Sequence, residues 1–524
     1  MTQQYKKEDG SSEKVISPGC VIISGGGEVS DIRKVVSPVC VLDRSTALYY
    51  IDFSFDELKL GGSALAQTMK KIGNDVPTVK NPEYFADAFD AVQEAINREL
   101  ILAGHDISAG GMITTLLEMC FANTEGGMRI NLSELPSDDV TKILFAENPG
   151  VILQVKDTKS FEKLMNAAGV AFLKIGYPSD ERTVNVRNGE FVEDFDIDAL
   201  RDVWYESSYL LDCKQSGEKK AAERFQNYKK IPLYYQWPKN FTGKLSQYGV
   251  SADRRNKTGI KAAIIREKGV NSEREMAYSM YLAGFDVKDV HITDLIYGRE
   301  DLKDVNLIVF CGGFSNSDVL GSAKGWAAGF LFNEKARKAL QDFYSRPDTL
   351  SLGICNGCQL MIELGLVGSN LDSKNPDILS AAKNPERIHM LHNDSHKFES
   401  NFVNVRIPKN NSVLMGNLSG SRLGIWAAHG EGKFGLPEGK SLEDYNVVAK
   451  YGYNAYPANP NGSPEGLAGV CSADGRHLAM MPHPERAMFP YQCGYYPLDH
   501  KEDECTPWLQ IFVNAREWIK KELS

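Results

Sequence analysis

The sequence contains no apolar run of about 18 residues and no run of lysine or arginine. The first absence argues against a transmembrane helix, which needs about 20 predominantly apolar residues in succession. The second absence, together with a formal net charge of −10, argues against the basic surface that nucleic-acid-binding proteins use. We therefore expect a protein that contacts neither membrane nor nucleic acid.

Two features of secreted proteins are also missing. The ten cysteines are scattered without the spacing of a disulfide framework, and the first twenty residues are polar rather than a signal peptide. We therefore expect a location in the reducing cytoplasm. What the chain does have is ample material for hydrophobic cores, because 42% of its 524 residues are hydrophobic. This length predicts about three domains.

The most informative segment runs from residue 353 to residue 359, between a short apolar run and an apolar helical stretch. This order predicts a sharp turn from a buried strand into a helix, in which Gly353 and Gly357 let the backbone bend. Cys355 is then expected at the helix N-terminus, where the helix dipole favours the thiolate. Cys358 is predicted to be an ordinary core cysteine.

A histidine and a glutamate near the C-terminus complete a set of groups for nucleophilic catalysis. His483 is expected to act as the general base for Cys355. Residues i and i+2 of an extended segment point to the same side, and Pro484 disfavours a helix, so Glu485 is expected to orient the imidazole. The alternative is that Cys355 is a buried structural cysteine. That alternative does not explain why the elbow at Cys355 occurs together with His483 and Glu485.

Alternating strands and helices from residue 262 onward predict a doubly wound, mainly parallel sheet whose ligands bind at the carboxyl ends of the strands. Gly313 and Cys355 both follow such ends, so the backbone N–H groups of Gly313 and Asn356 are expected to form an oxyanion hole. Further predictions are strands at 21–24 and 47–52, and a core-facing helix that Asn81 caps and that buries Phe89.

A second glycine-containing turn, at residues 104–111, precedes another apolar helix. The carboxylate of Asp106 would suit Mg²⁺, and the hydroxyl of Ser108 with the neighbouring amides would suit a phosphate group. An ordinary turn in which Asp106 or Ser108 caps the helix explains the local sequence equally well.

Several blocks of the chain resemble the large single-chain formylglycinamidine ribonucleotide synthetases. The C-terminal blocks follow the order and spacing of that family's class I glutamine amidotransferase domain, and two earlier blocks resemble the later part of its synthetase domain. The C-terminal blocks are 266–272, 311–315, 353–359, 429–432, 456–464 and 481–486, and the earlier ones are 60–67 and 105–111.

The resemblance implies an α/β fold in which an α+β part of a synthetase domain, similar to aminoimidazole ribonucleotide synthetase, precedes the amidotransferase domain. The implied division is a polar tail at 1–16, a remnant of the synthetase N-type subdomain at 17–80, a C-type subdomain at 81–205, a linker at 206–258 and the amidotransferase at 259–524.

The implied reaction is the ATP-driven and glutamine-dependent conversion of formylglycinamide ribonucleotide to formylglycinamidine ribonucleotide in purine biosynthesis. Cys355 would be the nucleophile, His483 the base and acid, Glu485 its orienter, and Gln359 part of the glutamine pocket. Asp106 would bind Mg²⁺ and Ser108 would contact the nucleotide.

Three departures from the family pattern are visible. The chain is much shorter than family members, so the remaining metal and substrate ligands are expected elsewhere, for example on a partner chain. Ala109 stands where the family has a second aspartate, and 316–318 read Asn-Ser-Asp instead of Tyr-Gly-Asp. Two other functions stay open at this point: a stand-alone cysteine hydrolase such as a γ-glutamyl hydrolase, and an inactive scaffold.

Overall fold

The computed structural model describes residues 2–16, 23–135, 137–369, 371 and 376–524. At the amino end, strands β1 (Thr2–Lys6) and β2 (Ser12–Ile16) form an antiparallel hairpin. Residues 3–14 are exposed, as expected of a polar tail, but they have a regular structure that the prediction lacked. Of the strand predicted at 21–24, residues 21 and 22 lie outside the described residues. Residues 23 and 24 belong to no strand, and both are exposed.

A seven-stranded sheet organises the chain between residues 47 and 196. Its strands are β3 (Ala47–Asp52), β4 (Ile101–Asp106), β5 (Gly127–Asn131), β6 (Gly150–Val155), β7 (Leu173–Ser179), β8 (Thr183–Asn188) and β9 (Phe191–Asp196). Their order is β4-β6-β3-β7-β5-β8-β9, and all pairs except β5 with β8 are antiparallel. Because β3 lies between β6 and β7, the predicted separation of 17–80 from 81–205 does not follow the sheet.

In the described part of this region, five α-helices accompany the sheet: α1 (Ala64–Thr68), α2 (Pro82–Asn97), α3 (Gly111–Phe121), α4 (Val140–Phe145) and α5 (Thr158–Ala167). Asn81 caps α2 as predicted, since its side chain accepts the backbone N–H groups of residues 83 and 84. The buried face of α2 consists of Ala88, Ala91, Val92 and Ala95. Phe89, which was expected in the core, is 46% exposed, because the small alanines rather than the aromatic ring face the interior.

A long helix, α6 (Ile197–Asn227), follows and is interrupted at Gly217 (φ 77°, ψ 156°). The rings of Tyr209 and Phe225 stack with their centroids 4.9 Å apart, so the two arms fold back on each other. We call α6 the helical hairpin. The predicted linker at 206–258 begins inside it, and from residue 231 the chain is irregular as predicted, apart from a short helical turn at 245–248.

The described residues of the rest of the chain form eleven strands: β10 (Lys261–Arg266), β11 (Asp286–His291), β12 (Leu307–Phe310), β13 (Leu350–Ile354), β14 (His389–Leu391), β15 (Glu399–Arg406), β16 (Arg422–His429), β17 (Lys433–Gly435), β18 (Asn446–Tyr451), β19 (Leu467–Cys471) and β20 (His477–Met480). Nine of them form the sheet at the core of this part, with order β11-β10-β12-β13-β20-β19-β18-β15-β16. β14 and β17 form a small separate sheet. The first five strands of the large sheet run parallel, as predicted.

Over the described residues of this domain there are seven α-helices: α7 (Glu273–Ala283), α8 (Ile292–Tyr297), α9 (Lys324–Leu331), α10 (Glu334–Ser345), α11 (Asn356–Glu363), α12 (Ile378–Lys383) and α13 (Leu509–Leu523). β12, β13 and β20 are buried along their whole length, because both faces of the parallel part are covered. Within the described ranges, no helix has the length and apolar character needed to cross a membrane.

Candidate active site

Cys355 lies at the turn between β13 and α11, as the sequence predicts. It adopts φ 53° and ψ −107°, a conformation that is strained for a non-glycine residue. The flanking glycines allow close approach: a Cβ on Gly357 would lie 2.0 Å from the carbonyl oxygen of Phe310, and one on Gly353 would lie 2.6 Å from the carbonyl oxygen of Gly357. In this elbow the strained backbone conformation is therefore that of Cys355. The absence of side chains at Gly353 and Gly357 leaves space for α11.

His483 and Glu485 follow β20, the strand that pairs with β13. Nδ1 of His483 lies 2.7 Å from Oε1 of Glu485, and both side chains are at most 1% exposed. The expected partnership is therefore present, but not in the extended backbone that was predicted. Residues 484–486 form a 3₁₀ turn, since proline is well tolerated in the first position of a helical turn.

Gly312 lies beside both Cys355 and His483. A Cβ at this position would be 2.8 Å from Cε1 of His483 and 3.3 Å from Cβ of Cys355. Because glycine has no side chain, His483 and Cys355 can both lie close to the backbone of Gly312. Among the described residues, Nε2 of His483 is buried and has no hydrogen-bond partner. This nitrogen is the one left to exchange a proton at the site.

The electrostatics of the site favour a charged imidazole. Burial alone would lower the pKa of His483, but its interactions with Glu485 and Cys355 outweigh burial and raise this pKa to about 9. Burial would raise the pKa of Glu485, but the facing imidazolium holds it below its usual range. The pair is therefore suited to the ionised state, in which His483 can donate a proton from Nε2.

A second histidine and a second cysteine lie nearby without sharing these properties. Burial, and then the charge of His483, lower the pKa of His429 to about 3, and its Nδ1 lies 3.2 Å from Oδ1 of Asn393. Cys358 is completely buried in α11, and burial raises its pKa well above the usual range. The prediction that Cys358 is a core cysteine is confirmed, and His429 is a neutral structural residue.

A cavity of about 350 Å³ opens above Cys355 and His483. Charged groups of both signs line it: Asp318, Glu431, Lys397 and Arg486. Ser322 joins the two acids, because its N–H donates to Glu431 (3.2 Å) and its hydroxyl donates to Asp318 (3.3 Å). Burial, and to a smaller degree the charge of Glu431, raise the pKa of Asp318.

No role for these four residues was predicted from the sequence. They come from loops that are far apart in the chain, and Lys397 lies outside every segment that resembles the family. The local signal was that Asp318, Glu431 and Arg486 lie in or next to such segments, at 311–315, 429–432 and 481–486. Their convergence depends on the order of strands in the sheet.

Gln359 lines the cavity, as predicted for a residue of the glutamine pocket. Its amide is already engaged at both ends: Nε2 donates to the carbonyl of Glu431 (2.7 Å), and Oε1 accepts from Nδ2 of Asn356 (2.9 Å). Gln359 thus shapes the wall of the cavity. Gly313, with φ 122°, also lines the cavity, and Asn356 is the first residue of α11. The oxyanion hole made by their N–H groups stays a prediction.

The turn at 104–111 has a different character. Asp106 is the last residue of β4, its side chain is 71% exposed, and Ser108 is also exposed. Neither caps α3, whose N-cap is Gly110 without a side-chain hydrogen bond. Instead Oε1 of Glu147 accepts the backbone N–H groups of Gly110 (2.8 Å) and Ala64 (2.7 Å). The capped-turn alternative is therefore wrong for both Asp106 and Ser108.

These residues do not by themselves make a Mg²⁺ site. Mg²⁺ requires an octahedral shell of oxygen ligands, often with one or two carboxylates and substrate phosphates. Over the described part of the chain, no group of three or more histidine, cysteine, aspartate or glutamate side chains could hold a metal ion. Asp106 can contribute one exposed carboxylate to such a shell.

Comparison with known proteins matches this two-part architecture. Residues 259–519 match the model of the CobB/CobQ-like glutamine amidotransferase domain, and residues 52–187 match that of the C-terminal domain of AIR synthase related proteins. The probable phosphoribosylformylglycinamidine synthase, chloroplastic/mitochondrial, of Arabidopsis thaliana is 39% identical over 97% of this chain and 36% of its own length. The human phosphoribosylformylglycinamidine synthase is 37% identical over 97% of this chain and 39% of its own length. This chain belongs to the phosphoribosylformylglycinamidine synthase family.

Membership of this family confirms the resemblance seen in the sequence, and the predicted fold class is confirmed with it. The chain spans less than two fifths of the length of these two synthases. Among solved structures, a chain of PurLQS from Thermotoga maritima is 26% identical, and the match covers 51% of this chain and 100% of that chain with a TM-score of 0.37.

Proposed function

We propose that residues 259–519 hydrolyse glutamine to glutamate and ammonia with Cys355, His483 and Glu485. The observation that carries this proposal is the buried 2.7 Å contact between His483 and Glu485 beside a cysteine on a strand-to-helix elbow. A cysteine nucleophile needs a base within reach and a group that orients the base. The proposal is supported because Cys355 and His483 line one cavity, Glu485 contacts His483, and the match to the amidotransferase family model includes all three residues.

In this mechanism, His483 takes the thiol proton of Cys355 as Sγ attacks the side-chain amide carbon of glutamine. We assign the resulting oxyanion to the N–H groups of Gly313 and Asn356. When the C–N bond breaks, the imidazolium of His483 gives this proton to the leaving nitrogen, and ammonia departs from a γ-glutamyl thioester. His483 then takes a proton from water as the hydroxide attacks the thioester carbon, and it returns that proton to Sγ when the C–S bond breaks and glutamate leaves.

The charges of the cavity support an α-amino acid as substrate. At neutral pH glutamine carries an ammonium group and a carboxylate at the end opposite its reactive amide. Asp318 and Glu431 could bind the ammonium group, and Lys397 and Arg486 could bind the carboxylate. A cavity of about 350 Å³ suits a ligand of this size.

We propose further that the ammonia serves the ATP-driven conversion of formylglycinamide ribonucleotide to formylglycinamidine ribonucleotide. The support is the match of residues 52–187 to AIR synthase related proteins and the names of the relatives. Asp106 would then be a Mg²⁺ ligand and Ser108 a nucleotide contact. The other ligands of that site would come from the remaining part of the synthetase, on whichever chain carries it.

The test is to incubate the 524-residue chain with glutamine and to measure glutamate and ammonia. A thiol-directed glutamine analogue should label Cys355, as located by peptide mass spectrometry, and glutamine should protect against it. Glutamate release no faster than that of Cys355→Ala would overturn the proposal. Equally efficient cleavage of γ-glutamyl peptides would instead favour a γ-glutamyl hydrolase, and failure of the analogue to label Cys355 would favour an inactive scaffold.

A further inference from the structure

The helical hairpin reaches the active-site cavity through one ion pair. Lys397 lines the cavity, and its Nζ lies 3.2 Å from Oδ1 of Asp212 on the first arm of the hairpin. Asp212 lies 47 residues before the amidotransferase family match begins at residue 259, since 259 − 212 = 47. A side chain from outside the amidotransferase domain therefore touches the wall of the cavity in which we place glutamine.

Asp212 is held firmly in place. Its carboxylate is 13% exposed, accepts a hydrogen bond from the hydroxyl of Ser216 (2.6 Å) and lies 3.1 Å from Nε of Arg224 on the second arm. Burial would raise the pKa of Asp212, but Ser216, Arg224 and Lys397 together hold it below the usual range. The group that faces Lys397 is thus a charged and fixed carboxylate.

The same cluster is anchored to the amidotransferase domain on the far side of Lys397. Nη2 of Arg224 lies 3.4 Å from Oε2 of Glu399, a buried residue two positions after Lys397. The hydroxyl of Tyr456 donates to the other oxygen of Glu399 at 2.8 Å, and Nδ2 of Asn227 donates to the carbonyl of Tyr456 at 2.9 Å. The loop that carries Lys397 and the hairpin that carries Asp212 are therefore tied to each other.

We propose that Asp212 is a positioning residue for glutamine, which holds the Lys397 ammonium where it binds the substrate α-carboxylate. This inference rests on the proposed glutamine hydrolysis. Lysine has a long flexible stem and three N–H donors. Asp212 engages one donor and restricts the stem, which leaves two donors for the carboxylate of glutamine. The affinity of the amidotransferase domain for glutamine then depends on the hairpin.

The first experiment separates substrate binding from turnover in the full 524-residue chain. Lys397→Ala should raise KM for glutamine about 10- to 100-fold and change kcat less than about threefold, because the charged contact is made equally in the ground and transition states. Asp212→Ala should raise KM about fivefold by the loss of positioning, and Asp212→Asn should raise it less, since the amide oxygen still accepts a hydrogen bond.

Asp202 supplies the matched control. It lies on the same hairpin and also forms an ion pair, with Nζ of Lys229 at 2.6 Å, but it does not line the cavity. Asp202→Ala should leave both KM and kcat for glutamine unchanged. An equal rise of KM in this variant would show that any damage to the hairpin has the same effect, and would overturn the specific role of Asp212.

A second experiment removes the carboxylate from the ligand instead of the cation from the protein. 4-Aminobutanamide is glutamine without its α-carboxylate, and its affinity can be measured as protection of Cys355 from alkylation. Lys397→Ala and Asp212→Ala should weaken this protection less than about twofold. If the two substitutions weakened protection by 4-aminobutanamide as much as they weaken protection by glutamine, the proposed contact with the α-carboxylate would be overturned. A lower KM for glutamine in Asp212→Ala would show instead that Asp212 competes with the substrate for Lys397. If the unmodified chain released no glutamate at all, the proposed function would fail, not the role of Asp212.

Discussion

The two domains of this chain expose their candidate residues to water to very different degrees. His483 and Glu485 are at most 1% exposed and lie with Cys355 at one end of a parallel sheet. Asp106, at the end of β4, has a side chain that is 71% exposed. Burial strengthens electrostatic interactions and fixes geometry, so the first set can be active within one domain. An exposed carboxylate becomes a specific ligand only when further groups surround it.

The strongest test of this comparison supplies ammonium, which bypasses glutamine hydrolysis. Given formylglycinamide ribonucleotide, ATP, Mg²⁺ and ammonium, the 524-residue chain should form no detectable formylglycinamidine ribonucleotide and no ADP above background. Phosphoryl transfer requires that nucleotide, metal and acceptor be held together, and the described residues offer only Asp106 and Ser108 for this task. Product formation at a rate comparable to glutamine hydrolysis would show that the two domains are equally complete.

The next largest effect is expected within the amidotransferase domain. Cys355→Ala should lower kcat for glutamine hydrolysis by about 10⁴-fold or more, because members of a catalytic triad act as a unit, and replacement of His483 should be about as damaging. Cys358→Ala should change kcat less than about threefold, and its cavity should cost about 1 kcal/mol of unfolding free energy. The measurements are initial rates of glutamate release and chemical denaturation. Comparable losses of activity in both folded cysteine variants would reassign the nucleophile.

The elbow and the contact between His483 and Glu485 could be predicted because their signals are local in the sequence. A buried apolar run, two glycines and an apolar helix define the turn around Cys355, and a single residue, Pro484, separates His483 from Glu485. The backbone at residues 484–486 was predicted wrongly, because proline is compatible with both an extended segment and the first position of a helical turn. Local sequence does not decide between them.

The walls of the cavity could not be predicted in the same way. Asp318 follows β12 in the parallel part of the sheet, whereas Lys397 precedes β15 and Glu431 follows β16 in its antiparallel part. Sequence spacing does not show that these distant loops line one cavity. The reversal of the chain within the helical hairpin was also missed. A glycine within a helical pattern is usually tolerated, and only the packing of the two arms shows that residue 217 reverses the chain.

Removal of the Glu485 charge should have a smaller effect that depends on pH. Glu485→Gln should lower kcat by about 10²- to 10⁴-fold, because the amide still contacts His483 but no longer stabilises the imidazolium. The pKa of His483, raised to about 9 by its neighbours, should then fall. The imidazolium gives the leaving nitrogen the proton that makes it ammonia, so the alkaline decline of kcat should move to lower pH in this variant. A pH profile of kcat identical to that of the unmodified chain would contradict the role of Glu485.

The smallest effects should distinguish two carboxylates that flank the same turn of the synthetase-related domain. Glu147 accepts the N–H groups of Gly110 and Ala64, so Glu147→Ala should leave both donors without this acceptor and lower the unfolding free energy by about 1–2 kcal/mol. Asp106→Ala should change the unfolding free energy by less than about 0.5 kcal/mol, because its side chain is exposed. Both variants should hydrolyse glutamine at the unmodified rate, since neither residue lines the cavity above Cys355.

Chemical denaturation monitored by circular dichroism gives the unfolding free energies of the Glu147→Ala and Asp106→Ala variants. If Asp106→Ala were as destabilising as Glu147→Ala, Asp106 would be a structural residue of the turn, and the proposal that it is available as a metal ligand would lose its support.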